Sequence, residues 1–412
     1  MYDTVYDDAR RHQESAARRE TSPLTVALAA GQRTNMSAAD TEFWNTTAER
    51  LASDASMTTL TAATRPFASA SAKALEALAL SRVTTIHFQL MAISDDDCIT
   101  LCNSLPAAGS LTSLNLGRNS IKSPLSASLL VSDSLTSLNM SANPLEGDLT
   151  LLGQAVAQSS LHTLNLSDTQ RGGGEGLVAM ASALAEHANC CKLRTLHLQG
   201  TGITDAIAIS LVAPLAAAGI CELFLGKNRI GDEGASAFAR SCMTTDACGL
   251  TTSPFRRLSL MSNHIGDNGA GAFAAALGAN CKLHTLNLSH NNITEAGVSA
   301  LAQGVQQSVY AKSIDVGVNP LAGATEAVRV LKALLTPEGR ARPRAAQFRR
   351  VGTLLLLAHS HEPPQSQLPP ILVPDLPVPL PVHVLLTRLP HSLLLAIIEL
   401  AAPEGFQFDA KT

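Results

Sequence analysis

The stretch LHTLNLSHNNITEAGVSALAQGV at 283–305 sets leucines at offsets 0, 3 and 5, asparagine at 8 and isoleucine at 10, and then turns to an alanine-rich helical pattern. The same template recurs as LTSLNLGRNSI from Leu111, LTSLNMSANPL from Leu135 and FRRLSLMSNHI from Phe255. Weaker copies begin at Val83, Leu161, Leu193, Ile220 and Ala311, which makes nine repeats at steps of 24 to 35 residues. A period of that length belongs to a one-dimensional array in which each unit packs only on its neighbours.

Within the template, offsets 3 and 5 alternate with 2 and 4, the period of a short strand with one face inward. Leu286 and Leu288 are then core, and Thr285 and Asn287 surface. Offset 8 is Asn119, Asn143, Asn228, Asn263, Asn291 and Asn319 in six repeats. An asparagine in a tight turn bonds backbone groups that the ladder leaves open, so its role is to hold the turn. Thr169, Thr201 and Met91 fill the remaining three positions, and those turns should be looser. Segments such as IGDEGASAFAR at 230 and ITEAGVSALAQGV at 293 follow as helices, with Thr204, Thr294 or the Gly-Asp pairs as starters. No such strand-turn-helix unit buries its apolar face alone, so neighbours stack with strands parallel and helices outside.

Composition agrees with a modular core: 46% of the 412 residues are hydrophobic but only 3% aromatic, so leucine, alanine, isoleucine and valine must fill the interior. A net charge of -4 provides no global attraction to nucleic acid or an acidic membrane surface. The eight cysteines, among them Cys98, Cys102, Cys190, Cys191, Cys242 and Cys248, form no CxxC pair and no zinc spacing with histidine, and read as reduced core residues. The N-terminus lacks the pattern of a signal peptide, and LLLAIIELAA at 393–402 is about half of the ~20 residues that span a bilayer. These features predict a soluble intracellular protein, cytoplasmic with the nucleus as the alternative, in which the Asn-x-Ser triplets at Asn165 and Asn287 never meet the glycosylation machinery.

The pattern LxxLxLxxNxI, followed by [GT][DE]xGAxAFA at a step near 28, resembles the ribonuclease-inhibitor-like class of leucine-rich repeats, a class found also in Ran GTPase-activating proteins and NOD-like receptors. The resemblance covers residues 83 to about 336 and implies an α/β horseshoe solenoid, with a parallel concave sheet, outer helices and about nine repeats. Outside it, residues 1–50 read as a disordered segment and 51–82 as a helical, degenerate N-terminal cap. Residues 337–381 read as a basic and then proline-rich linker: five arginines lie in 339–350, a degenerate last strand starts at 351, and eight prolines fall in 363–381. Residues 382–412 read as an apolar helix and tail.

No nucleophile, base or metal set assembles from neighbouring positions, no GxxxxGK[ST] loop is present, and RGGGEG at 171–176 falls in a repeat turn as an insertion. Histidines 87, 162, 197 and 284 follow the repeat and not a metal geometry. No catalytic residue, metal or cofactor is therefore expected. Binding is the better reading. Most concave positions are small and neutral, such as Ser113, Asn115, Ser137, Asn139, Thr163 and Asn165. His197, Glu222, Phe224, Lys227, Arg257 and Met261, from three consecutive repeats, are the exception. They bring together the aromatic, arginine and methionine anchors on which interfaces concentrate their energy. The leading expectation is a monomeric, non-catalytic scaffold for a protein partner, without nucleic acid or membrane. Two alternatives stand beside it, the first implied by the repeat resemblance and the second by the tail. One is an activator of a Ran-like small GTPase. The other is a substrate adaptor of a cullin ubiquitin ligase, because LPVPLPVHVLL at 376–386 resembles part of a SOCS box, with Leu385 in place of its tyrosine, and LPHSLLLAIIEL at 389–400 resembles the start of an F-box.

Overall fold

A computed structural model describes residues 38–336 and 339, apart from 55, 64–66, 68–71, 106–109, 124–133, 170–173, 245–253 and 322–325. The expectations for residues 1–37 and for the chain beyond 339 (basic stretch, last strand, proline run, C-terminal helix and adaptor motifs) lie outside the described residues. Ten strands form one parallel sheet in chain order: β1 (Thr59–Ala63), β2 (Thr85–Gln89), β3 (Ser113–Asn115), β4 (Ser137–Asn139), β5 (Thr163–Asn165), β6 (Thr195–His197), β7 (Glu222–Phe224), β8 (Arg257–Ser259), β9 (Thr285–Asn287) and β10 (Ser313–Asp315). The helices are α1 (Ala38–Ser53), α2 (Ala72–Leu80), α3 (Asp95–Ser104), α4 (Thr150–Gln158), α5 (Glu175–Glu186), α6 (Asp205–Ala217), α7 (Asp232–Cys242), α8 (Asp267–Gly278), α9 (Glu295–Gln307) and α10 (Glu326–Leu334).

β3 to β10 each occupy offsets 2 to 4 of their template and β2 offsets 2 to 6, and the leucine or isoleucine at offset 3 faces inward. Leu114, Leu138, Leu164, Leu196, Leu223, Leu258 and Leu286 form one continuous buried row at register partners. This is the α/β solenoid that the period predicts.

The N-terminal end departs from expectation. A tenth strand, β1, pairs with β2 from Thr59↔Thr85 to Ala63↔Gln89, inside the segment 51–82 expected to be a helical cap. Its repeat starts at Met57: Leu60, Ala62 and Phe67 stand at offsets 3, 5 and 10 and are buried, although the template had decayed too far to be read from leucines alone. Before it, α1 reaches back to residue 38, into the stretch expected to be disordered. Trp44, Ala48 and Leu51 lie three or four residues apart and give α1 one buried face despite its polar composition. Trp44 meets Phe67 and Phe88 edge-on, with ring centroids 6.1 and 6.0 Å apart, and these rings close the first unit.

The turn asparagines do more than hold their own turns. Asn228 donates from Nδ2 to Leu225 O at 3.0 Å in its own repeat and to Leu198 O at 2.9 Å in the preceding one. Its Oδ1 accepts the N–H groups of Thr201 and Ile203, also in the preceding repeat, at 3.1 and 3.0 Å. Asn119, Asn143, Asn263, Asn291 and Asn319 make the corresponding cross-repeat bonds. Thr169 and Thr201 do not leave loose turns: both are buried, and each donates to its own strand end, at 2.5 Å to Leu166 O and 2.9 Å to Leu198 O. A shorter side chain keeps the bond within the repeat and gives up the reach to the preceding one.

The outer layer has its own cross-repeat link. Of the expected helix starters, Thr294 accepts Ala296 N–H, whereas Thr204 makes no side-chain cap bond. The aspartate at offset 12, which follows Thr204 at Asp205 and a glycine at Asp232 and Asp267, acts sideways. Asp205 Oδ1 accepts Gly231 and Gly234 N–H at 2.7 and 2.9 Å, and Asp232 Oδ1 accepts Gly266 and Gly269 N–H at the same distances. A Cβ on Gly234 would stand 2.6 Å from that Asp205 oxygen, so the carboxylate reaches the next helix only because this position is glycine. Asp267 accepts the Thr294 hydroxyl at 2.6 Å and Gly297 N–H at 3.0 Å, and the Thr294 hydroxyl bond foremost holds its carboxyl below the usual carboxylate range.

The inward row and the concave row should therefore respond differently to truncation. Leu286→Ala is expected to cost ~2–5 kcal/mol, whereas Thr285→Ala should stay within ~0.5 kcal/mol. A denaturant titration that returns equal losses would reverse the assignment of the two faces.

Candidate functional site

Parallel pairing turns offsets 2, 4 and 6 of successive repeats into rows across the concave face. On β6, β7 and β8 the register sets His197 opposite Phe224 and Glu222 opposite Arg257. His197 and Phe224 stack with centroids 4.3 Å apart and planes within 3°. That separation is close to the ~4.8 Å between neighbouring strands, so both rings stand upright side by side on the sheet. Both are half-buried. Burial pushes the His197 ring below the usual imidazole range, and the Glu222 carboxylate pulls it partly back up. At neutral pH the stack is thus uncharged.

Beside the stack, Arg257 Nη1 donates to Glu222 Oε2 at 3.4 Å, with side chains 49% and 35% exposed. A pair this open contributes less than about 1 kcal/mol to stability, so its chief effect is to orient the guanidinium over β7. A Cβ on Gly226 would lie 2.9 Å from Met261 Cγ and 3.7 Å from Gln199 Cγ, so these two side chains approach from opposite sides above a position that has room only for glycine. Gln199 was not among the residues singled out from sequence. Its signal was its offset 6, just past β6, in the row that runs through Gly226 to Met261 past β8.

The structure brings His197, Glu222, Phe224 and Arg257 together directly, with Met261 adjoining across Gly226. Lys227 is placed differently. It sits past the end of β7 at offset 7, with φ +55°, and its N–H donates to Met261 O at 2.9 Å. Offset 7 is left-handed in all nine repeats foreseen, from Leu90 at +57° through Gly200 at +64° to Val318 at +52°. The Lys227 side chain therefore leaves from the rim and not from the strand face. The left-handed turn is what bends the chain out of the sheet toward the helix layer.

A family model described as Leucine Rich repeat matches residues 189–212, 222–239, 253–274 and 279–302. This is a leucine-rich-repeat domain. The matched stretches hold β6 to β9, including the whole central patch. A solved chain titled "Crystal structure of TLR13-ssRNA13 complex" shares 18% identity at TM-score 0.41, covering 65% of this chain; the present chain spans 32% of that one. No curated protein sequence matches this chain. Among the described residues of the repeat domain, no three His, Cys, Asp or Glu side chains form a metal-holding group, and no helix is long and apolar enough to cross a membrane. Its seven described cysteines are free, Cys190 exposed, Cys221 half-buried and the others buried.

The stack makes a pH-dependent signature. A histidine depressed in the folded state binds protons less readily than the unfolded chain, so its share of stability is lost as pH falls through the ordinary imidazole range near ~6.5. An NMR titration should place His197 below that range, and Phe224→Ala should return it upward by readmitting water to the ring. A value unmoved by Phe224→Ala would show that the phenyl ring does not shield the imidazole.

Proposed function

We propose that this leucine-rich-repeat domain is a protein-binding module of the ribonuclease-inhibitor-like kind, which acts by contact and not by catalysis. Its partner rests on the concave face, with His197, Phe224, Arg257 and Met261 at the centre, Glu222 orienting the arginine and Lys227 on the rim. The full helices that follow most strands support the subclass. One observation carries the binding site: the half-exposed Phe224, held upright against His197 in an otherwise small and polar sheet. A ring already fixed by stacking loses little side-chain freedom on association, and aromatic and arginine anchors at the centre of a patch dominate interface energies.

The test is affinity purification with the full chain, followed by titration of whatever partner is recovered. Phe224→Ala and Arg257→Ala should each weaken binding by ~1–3 kcal/mol with the fold intact. Thr85→Ala, on the same face four strands before β6, should change it by less than ~0.5 kcal/mol. Unchanged binding in the two central variants would remove the patch. Hydrolysis by a Ran-type GTPase belongs in the same series, since strong stimulation would replace contact by GTPase activation as the function.

A further inference from the structure

Three strands N-terminal to the central patch carry a separate chemical pattern. On β3, β4 and β5 the offset-4 residues Asn115, Asn139 and Asn165 are register partners. Each side-chain oxygen accepts the backbone N–H two residues on: Gly117 at 3.0 Å, Ser141 at 2.9 Å and Ser167 at 2.9 Å. A backbone N–H can only donate, so the side-chain atom facing it is the oxygen, and the amide NH2 is left for other partners. Asn115 Nδ2 lies 3.5 Å from His87 Nδ1, while among the described residues the Nδ2 groups of Asn139 and Asn165 have no partner. The three side chains are half-buried, so these amides open onto the concave face.

The surroundings select what such a row can bind. Ser113, Ser137 and Thr163 flank it at offset 2 with hydroxyls, and no carboxylate stands at offsets 2, 4 or 6 of these strands. Amide donors with no carboxylate beside them suit an acceptor-only group, and hydrogen bonds to a carboxylate are about twice as strong as neutral ones. The strand spacing of ~4.8 Å lies near the ~5.4 Å turn of an α-helix, so acidic side chains one turn apart can meet successive asparagines. Binding along nucleic-acid phosphates would instead need a series of Lys or Arg side chains. Beyond β3, at offset 7 of its repeat, Arg118 is exposed on the rim.

We infer that Asn115, Asn139 and Asn165 form a docking row for an acidic helical segment of a partner protein, one carboxylate to a strand. This row adjoins the central patch, since Asn165 pairs in register with His197, but it uses none of that patch's residues. The chain itself supplies the design of the test. At offset 4 of β10, Asp315 accepts Gly317 N–H at 2.9 Å, as the asparagines do in their own repeats. Asn139→Asp with Asn165→Asp therefore keeps the turn bonds and replaces only the outward NH2 by an anionic oxygen.

The probe is a fluorescein-labelled, alanine-based helical peptide with glutamate at every fourth position, titrated into the full chain by anisotropy. Its glutamine counterpart and a uridine hexanucleotide serve as comparators. The glutamate peptide should bind at least tenfold more tightly than either comparator, and the double Asn→Asp variant, melting as wild type, should lose at least tenfold. Phe224→Ala should leave the peptide affinity unchanged. The proposal is overturned by absent binding, by equal binding of the glutamine peptide, by preference for the oligonucleotide, by an undiminished double variant, or by a tenfold loss in Phe224→Ala, which would move the peptide to the central patch.

Discussion

The structure depends on one short polar side chain used between units. Ten parallel strands, most of them three residues long, cannot define a register through so few ladder bonds alone. The asparagine at offset 8 completes it. With its amide it joins the ends of two neighbouring strands, and with its oxygen it takes the N–H groups of the preceding turn, in an interior where each unmade bond costs about 1–3 kcal/mol. Aspartates 205, 232 and 267 repeat the device on the outer layer, each satisfying the first turn of the helix that follows. Adjacent units are thus coupled through both layers. Where Thr169 and Thr201 stand at offset 8, the turn survives but the backward link does not.

That rigidity is what makes the concave face a surface with an address. Rows at offsets 2, 4 and 6 are fixed by the ladder, so the chemistry of the face is set by which repeat carries which residue. Small amides and hydroxyls fill the rows on β3 to β5, and one aromatic stack with a half-exposed ion pair stands on β6 to β8. The stack is prepared without a partner, because His197 and Phe224 are forced side by side by register. The same register sets Glu222 against Arg257 and so holds the guanidinium against the Glu222 carboxylate.

Much of this was legible in the sequence, because the repeat carries its own ruler. Leucines at offsets 3 and 5 mark the inner row, and once an offset is known the facing of Phe224 or Arg257 follows. What was not legible had physical causes. The first repeat keeps Leu60, Ala62 and Phe67 but no leucine at offset 0 and no asparagine, and a mostly polar helix hid the buried edge of Trp44, Ala48 and Leu51. Lys227 was grouped with the strand face because offset 7 gives no hint of its left-handed backbone, which only glycine would have signalled. The cross-repeat reach of Asn228 and Asp205 was hidden as well, since a bond between residues more than twenty positions apart leaves no local pattern.

The claim that neighbouring repeats are joined through the turn asparagine is tested most directly by native-state hydrogen exchange in Asn228→Ala. Its oxygen accepts the Thr201 and Ile203 N–H groups, and both should lose protection while the molecule loses at least ~2 kcal/mol, more than the turn of a single repeat would account for. Protection of Thr201 and Ile203 that persists in Asn228→Ala, together with a loss below ~0.5 kcal/mol, would contradict the account and leave leucine packing alone as the bond between repeats.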